Sequence, residues 1–247
     1  MSGVVVVDYG MGNLGSVAKA IEHVSGKVSV SIASDKASIL AADRVVFPGQ
    51  GAMPDCMRYL RESGLLETVL QCCKTKPLFG VCVGEQMLFD VSEEGNTPGL
   101  GVLAGSVKKF KTDMKIPVGE FKGSHSSAPK VPHFSALEEP HTGALKVPHT
   151  GALKVPHMGW NKVSIEPSAA GKPHPLWSGI PDDSFFYFVH SYYVAPSDTQ
   201  LIAGSTQYGE RFTSAIAHDN IFATQFHPEK SAAFGLQLYQ NFLSWKP

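Results

Sequence analysis

The run Leu78-Phe79-Gly80-Val81-Cys82-Val83-Gly84-Glu85-Gln86 constrains this chain most. An apolar strand ends there in Gly-x-Cys-x-Gly and turns at once into a helix pattern, the layout of a nucleophile elbow. The residue on such a turn is held in a strained backbone conformation at the tip of a sheet. Glycines two before and two after it leave room for strand and helix to pass closely. A thiol in that position is a candidate catalyst, and it demands a strand inside a sheet whose carboxyl end is open to a ligand.

The segments before the elbow supply such a sheet. Val4 to Val7 is a continuous β-branched run, expected of a strand covered on both faces, and Leu14, Val17, Ala18 and Ile21 follow at helical spacing. Val28 to Ile32 and Arg44 to Phe47 read as further strands, the latter ending at Pro48-Gly49, and Met53 to Leu70 carries helix-period apolar residues. Strands alternating with helices predict an α/β fold, a mostly parallel sheet flanked by helices with ligands beyond its carboxyl ends. After Gly101 come short strand-like pieces, Phe185 to Val189, Leu201 to Ala203 and Ile221 to Phe226, then a closing helix from about Phe234 to Leu243. The second half therefore adds antiparallel strands.

A chain of 247 residues with 43% hydrophobic content can bury a large core without staples. Net charge of −1 gives no reason to expect nucleic acid or an anionic membrane as partner. The cysteines at 56, 72, 73 and 82 show no paired Cys-x-x-Cys spacing, which favours a reducing compartment. There is no basic leader at the start, and no apolar stretch approaches the roughly 18 residues of a membrane span. A soluble cytoplasmic protein is expected.

One segment fits none of this pattern. Thr142 to His149 is repeated unchanged as Thr150 to His157, and Lys130-Val-Pro-His133 is a partial third copy. Prolines every eight residues would interrupt a strand or helix, so an inserted surface loop at about 112–153 within a single domain of residues 1–247 is expected. The repeat sets His133, His141, His149 and His157 in a periodic series, but duplication explains the period and no carboxylate or thiol joins them. No metal site is assigned.

A thiol nucleophile needs a base, and the base needs a group to hold its ring. Ile221-Phe-Ala-Thr-Gln-Phe226 alternates as a strand and delivers His227-Pro228-Glu229, where a period of two puts His227 and Glu229 on one side. Cys82, His227 and Glu229 are the candidate triad. The N–H of Val83, just after the nucleophile, is one candidate oxyanion donor, and Pro48-Gly49-Gln50-Gly51 offers a second. A competing motif is Gly10-Met-Gly12-Asn-Leu-Gly15, which follows the first strand as G-x-G-x-x-G, with Asp35 20 residues on. A dinucleotide site there would leave Cys82, Gln86 and His227-Pro-Glu229 without roles.

These motifs resemble those of the class I (triad) glutamine amidotransferases, a flavodoxin-like fold family. Its Gly-x-Cys-x-Gly-x-Gln stands here as Gly80 to Gln86, and its second motif as His227-Pro228-Glu229. Finer matches are Asp8-Tyr-Gly-Met-Gly-Asn13, Phe47-Pro-Gly-Gln-Gly51, Ser92-Glu-Glu-Gly95, Pro156-His-Met-Gly-Trp-Asn161, Phe186-Tyr-Phe-Val-His-Ser-Tyr-Tyr193 and His227-Pro-Glu-Lys-Ser231. They are similar to the family's glutaminase subunit of histidine biosynthesis, and cover nearly the whole chain outside roughly residues 112–153. The resemblance implies that Cys82 attacks the glutamine side-chain amide, His227 shuttles protons and Glu229 orients it. Gly51 and Val83 would flank the oxyanion site, while Gln86, Ser191 and Tyr192 would help hold glutamine. It implies no cofactor, and a (β/α)8-barrel cyclase partner in a heterodimer, met by the edge bearing Asn13 and Lys230.

Two features depart from expectation. Glu85 puts a carboxylate beside Cys82, which would disfavour thiolate, and the repeat ends directly at Pro156-His157-Met158. If the repeat is an inert loop, deleting Thr142 to His149 leaves glutamate release from glutamine at the wild-type rate. A loss of activity would show that the repeat matters.

Overall fold

The computed structural model of the protein describes residues 3–111, 153–168 and 170–247. The strands are β1 (Gly3–Val7), β2 (Ser29–Ala33), β3 (Arg44–Gly49), β4 (Leu78–Cys82), β5 (Phe89–Ser92), β6 (Thr97–Pro98) and β7 (Leu103–Lys109). After the undescribed stretch come β8 (His157–Ile165), β9 (Ser184–His190), β10 (Tyr192–Pro196), β11 (Ile202–Tyr208), β12 (Glu210–His218) and β13 (Ile221–Thr224). The α-helices are α1 (Leu14–Ser25), α2 (Lys36–Ala41), α3 (Met53–Glu62), α4 (Leu66–Thr75), the single turn α5 (Val83–Gln86) and α6 (Ala232–Ser244).

One sheet runs in the order β2-β1-β3-β4-β13-β12-β10-β7-β5-β6, with β11 on β12, β8 on β11 and β9 on β8. The pairs β1–β2, β1–β3, β3–β4 and β4–β13 are parallel, and antiparallel pairing begins at β13–β12. That boundary matches the change in the sequence from continuous apolar runs to short alternating pieces. Strand order reverses at β1, so right-handed crossovers put α1 on one face and α2 with α3 and α4 on the other. The crevice between the carboxyl ends of β1 and β3 is the switch point where ligands of such sheets bind. Tyr9, just past β1, is buried there and donates its hydroxyl to the Pro48 carbonyl at 3.0 Å.

The long helix expected from Met53 to Leu70 is two helices. Gly64 takes φ 71°, a left-handed conformation that glycine adopts without the usual Cβ penalty, and it ends α3 so that α4 starts on a new axis. Apolar periodicity survives the break, which is why the sequence reads as continuous. The expected insertion at about 112–153 lies outside the described residues except at its last position. Leu153 is buried in the core, and the Lys154 carbonyl accepts from the Tyr208 hydroxyl at 2.5 Å. The described residues thus begin again within the second copy of the repeat.

Helix α6 packs against α1 and against the turn Pro228–Lys230. Gly235 makes the second contact possible, because a Cβ there would run into the carbonyl oxygen of Pro228. Gly235→Ala is expected to destabilise the protein by about 2 kcal/mol in urea unfolding, and to lower glutaminase activity by displacing the Pro228 turn. Wild-type behaviour in both measurements would show that the helix can shift freely.

Candidate active site

Cys82 closes β4 with φ 56° and ψ −113°, a conformation that L-residues rarely adopt, and is 5% exposed. Three backbones meet around it. Gly49 at the end of β3 is in register with Cys82, and a Cβ on Gly49 would lie 2.6 Å from the N of Gly84. A Cβ on Gly80 would stand 2.8 Å from that of Ala223 on β13, and one on Gly84 would collide with the Phe47 carbonyl oxygen. The three glycines are therefore steric requirements of the elbow. Interlocked strands over-determine the strained residue and hold it in place.

His227 and Glu229 meet, though not by the strand alternation expected of them. Pairing of β13 ends at Thr224, where the Thr224 hydroxyl donates to the Phe226 carbonyl at 3.1 Å, and His227 then caps a 3-10 turn over Pro228–Lys230. Proline fixes φ for that turn, which curls Glu229 back to His227. Nδ1 of His227 lies 2.9 Å from Oε1 of Glu229, with side-chain exposures of 7% and 1%. The turn is tied to β9: the His227 N–H donates to the Tyr187 carbonyl at 2.9 Å. Ser231 Oγ bridges by donating to the His227 carbonyl at 2.6 Å and accepting from the Tyr187 N–H at 3.0 Å.

With Nδ1 on the carboxylate, Nε2 of His227 is buried and makes no protein hydrogen bond of full geometry. Cys82 is the titratable group that acts most strongly on the ring. Burial opposes charge on the ring, but Cys82 and then Glu229 outweigh it and raise the pKa to about 10. Both neighbours favour the charged imidazolium over the neutral ring.

Gln86 is buried, and its amide nitrogen is committed to the Tyr192 carbonyl at 3.2 Å and to Oε1 of Gln225 at 2.9 Å. Gln86 and Tyr192, two of the three residues expected to hold glutamine, are therefore joined directly, through side chain and main chain. Ser191 precedes Tyr192 and is anchored by its carbonyl, which accepts from the Phe110 N–H at 3.1 Å. Val83 is buried at the first position of α5, and Gly51, φ 91°, follows β3 two residues beyond Gly49. Helix α1, headed by Asn13, packs against the turn that carries exposed Lys230.

Glu85 does not carry the charge expected of it. The side chain is fully buried with neither carboxyl oxygen hydrogen bonded, and burial first, then Cys82, pushes its pKa well above the carboxylate range. Burial therefore works against a second negative charge beside Cys82. The Gly10–Gly15 loop serves packing: Gly12, φ 117°, fits against Leu14 and Pro48, while the Asp35 carboxylate caps α2 by accepting from the Ser38 N–H at 2.9 Å. His157 is buried, with Nδ1 2.9 Å from Nε2 of His190 and Nε2 3.2 Å from Nδ2 of Asn161. His133, His141 and His149 lie outside the described residues. Sequence reasoning missed Gln225 and Ser231. The signal for Gln225 was an amide that follows Thr224 in the mostly apolar run Ile221 to Phe226.

A family profile described as glutamine amidotransferase class-I matches residues 5–244. The chain belongs to that family. The imidazole glycerol phosphate synthase subunit HisH of Aromatoleum aromaticum is 53% identical, with 100% of both chains covered. That of Dechloromonas aromatica is 52% identical over 99% of this chain and 97% of its own, and that of Nitrosomonas europaea 48% identical over the full length of both. Among solved structures, PurLQS from Thermotoga maritima superposes with a TM-score of 0.63 at 14% identity, covering 98% of each chain. A putative GMP synthase component from Thermoplasma acidophilum gives 0.62 at 18%, covering 99% of this chain and 93% of that one. At such identities the likeness speaks for the fold. Among the described residues no helix is long and apolar enough to cross a membrane.

The buried histidines of this amidotransferase set its pH response. Burial, and for His157 the neighbouring His190, lowers His157 to about 2; burial lowers His190 to about 3 and His174 to about 4. Below pH 6.5 the unfolded chain takes up these protons and the native state does not, so their stability contribution is lost as pH falls from 6.5 toward 4. His227 acts oppositely: its contribution is full below 6.5 and lost as pH rises toward 10. Chemical denaturation across pH is expected to show these four residues favouring a maximum near 6.5. Replacing His157 and His190 together by Gln flattens the acid limb, where each withheld proton contributes a slope of about 1.4 kcal/mol per pH unit. An acid limb unchanged in the double variant would refute the assignment.

Proposed function

We propose that Cys82, His227 and Glu229 are the catalytic triad of this chain, the glutaminase subunit of imidazole glycerol phosphate synthase. The observation that carries the reading is the buried 2.9 Å contact between His227 and Glu229, with the free ring nitrogen left to the thiol on the elbow. His227 Nε2 takes the thiol proton, and the Cys82 thiolate adds to the side-chain carbonyl carbon of glutamine. Negative charge moves to the carbonyl oxygen, which the N–H of Val83 and an N–H of the Gly49–Gly51 loop receive, Gly51 included. His227 returns the proton to the departing nitrogen, the C–N bond breaks, and ammonia leaves a γ-glutamyl thioester. Water, deprotonated by His227, then attacks the thioester; glutamate departs and the thiol regains its proton. Glutamine and water become glutamate and ammonia.

Gln86, Ser191 and Tyr192 are assigned to substrate binding. The Gln86 nitrogen is occupied by the protein, so its carbonyl oxygen is the atom left to accept from the substrate ammonium group. The relatives' names as synthase subunits support a cyclase partner and histidine biosynthesis as the pathway. We assign the partner a (β/α)8 barrel that docks at the edge bearing Asn13 and Lys230 and receives ammonia. The four free, buried cysteines accord with the cytoplasm.

Glutamate release by wild type and Cys82→Ala, each alone and with the cyclase and its nucleotide ligand, tests this reading. The variant is expected to lose about 10⁴-fold in rate while keeping its affinity for the cyclase. Equal release by the two proteins would end the mechanism.

A further inference from the structure

The amide of Gln225 is in contact with the nucleophile. Its Nε2 lies 3.7 Å from Sγ of Cys82, a hydrogen-bond distance for sulfur, and the side chain is fully buried. Which end of an amide faces a neighbour is fixed by hydrogen-bond logic, and here that logic starts from main chain. The Tyr192 carbonyl can only accept, so the Gln86 atom 3.2 Å from it is the NH2 group. The same NH2 group lies 2.9 Å from Gln225, which must present its oxygen there. Gln225 is left with its own NH2 pointed at the sulfur. Turned the other way, it would set two donors against each other and place a carbonyl oxygen against a thiolate.

The anchor is itself held. The Tyr192 carbonyl also lies 2.7 Å from Nδ1 of His190, which therefore carries the proton, so Nε2 of His190 accepts from Nδ1 of His157. Neither amide has freedom to flip. A neutral donor aimed at sulfur from a dry site favours thiolate over thiol, since a hydrogen bond to the charged form stabilises that form.

We propose that Gln225 is a catalytic residue that donates a hydrogen bond to the Cys82 thiolate, and that Gln86 is the positioning residue that fixes its amide. The proposal rests on the triad reading and adds a second stabiliser of the thiolate beside His227. It also gives Gln86 a task separate from holding glutamine.

Alkylation of Cys82 by iodoacetamide, followed on the Cys82 peptide by mass spectrometry across pH, reads thiolate formation directly. In Gln225→Met, which keeps bulk and removes the donor, the apparent thiol pKa is expected to rise by about one pH unit, a tenfold slower alkylation on the acid limb. Gln86→Met leaves Gln225 in place but frees its amide, and a smaller shift in the same direction is expected. A Gln225→Met profile superimposable on wild type overturns the proposal. Should Gln225→Met fail to fold, an unshifted Gln86→Met profile overturns it. Alkylated wild type is expected to release no glutamate; residual full activity would bring down the triad reading and this proposal with it, whereas an unshifted profile with activity abolished brings down this proposal alone.

Discussion

The site depends on three backbones brought closer than side chains permit. Gly49, Gly80 and Gly84 let β3, β4, β13 and α5 converge, and the convergence forces Cys82 into its left-handed conformation. A residue so strained would relax by local rearrangement if its neighbours had room to follow. Here the neighbours are central strands of the sheet, in register on both sides of β4, and moving any one of them breaks parallel pairing across the core. Cys82 is therefore positioned by paired central strands of the sheet.

Electrostatics around the thiol follow a second rule: nearby groups that are able to carry competing charge are kept neutral. Glu85 is buried with neither carboxyl oxygen hydrogen bonded, and burial pushes its pKa up; His157 and His190 spend their donors and acceptors on each other and on neighbouring amide and carbonyl groups. In a dry interior, removing competing charges matters as much as supplying favourable ones, because the interactions that remain are poorly screened. What is left is the proposed triad of Cys82, His227 and Glu229, in which a proton moved from sulfur to ring would create an ion pair already flanked by a carboxylate. In the proposed arrangement a neutral donor such as Gln225 acts on the thiolate without adding a charge that would have to be desolvated.

Much of this was legible in the sequence, and the exceptions have physical causes. The elbow was readable because a strand, two glycines and a helix start are all local signals, and the parallel half of the sheet because β-branched runs mark strands covered on both faces. The pairing of His227 with Glu229 was anticipated for a reason that did not hold. Alternation along a strand suggested it, whereas a proline-fixed 3-10 turn achieves it. Glu85 was misread because charge is a property of surroundings: the residue type announces a carboxylate, but only the fold says that it is buried. Gln225 escaped notice because its partners, Gln86 and Cys82, lie 139 and 143 positions away. Side-chain networks of that span leave no periodicity to find.

The hydrogen-bonded amides also explain why two distant motifs must fold together. Gln86 belongs to the elbow segment, Tyr192 to the strand after the Phe186–His190 run, and Gln225 to the link between β13 and His227. Their convergence joins β4 and α5, which carry Cys82, to β10 of the antiparallel half and to the end of β13, the boundary strand that leads to His227. Each half alone would leave buried amide groups without partners, at a cost comparable to the stability such hydrogen bonds bring. The polar network thus acts as a register mark between the halves. His157, at the end of the repeated segment, belongs to that register through His190, so the repeat has to deliver its last residues into the core at a fixed place whatever the chain before it does.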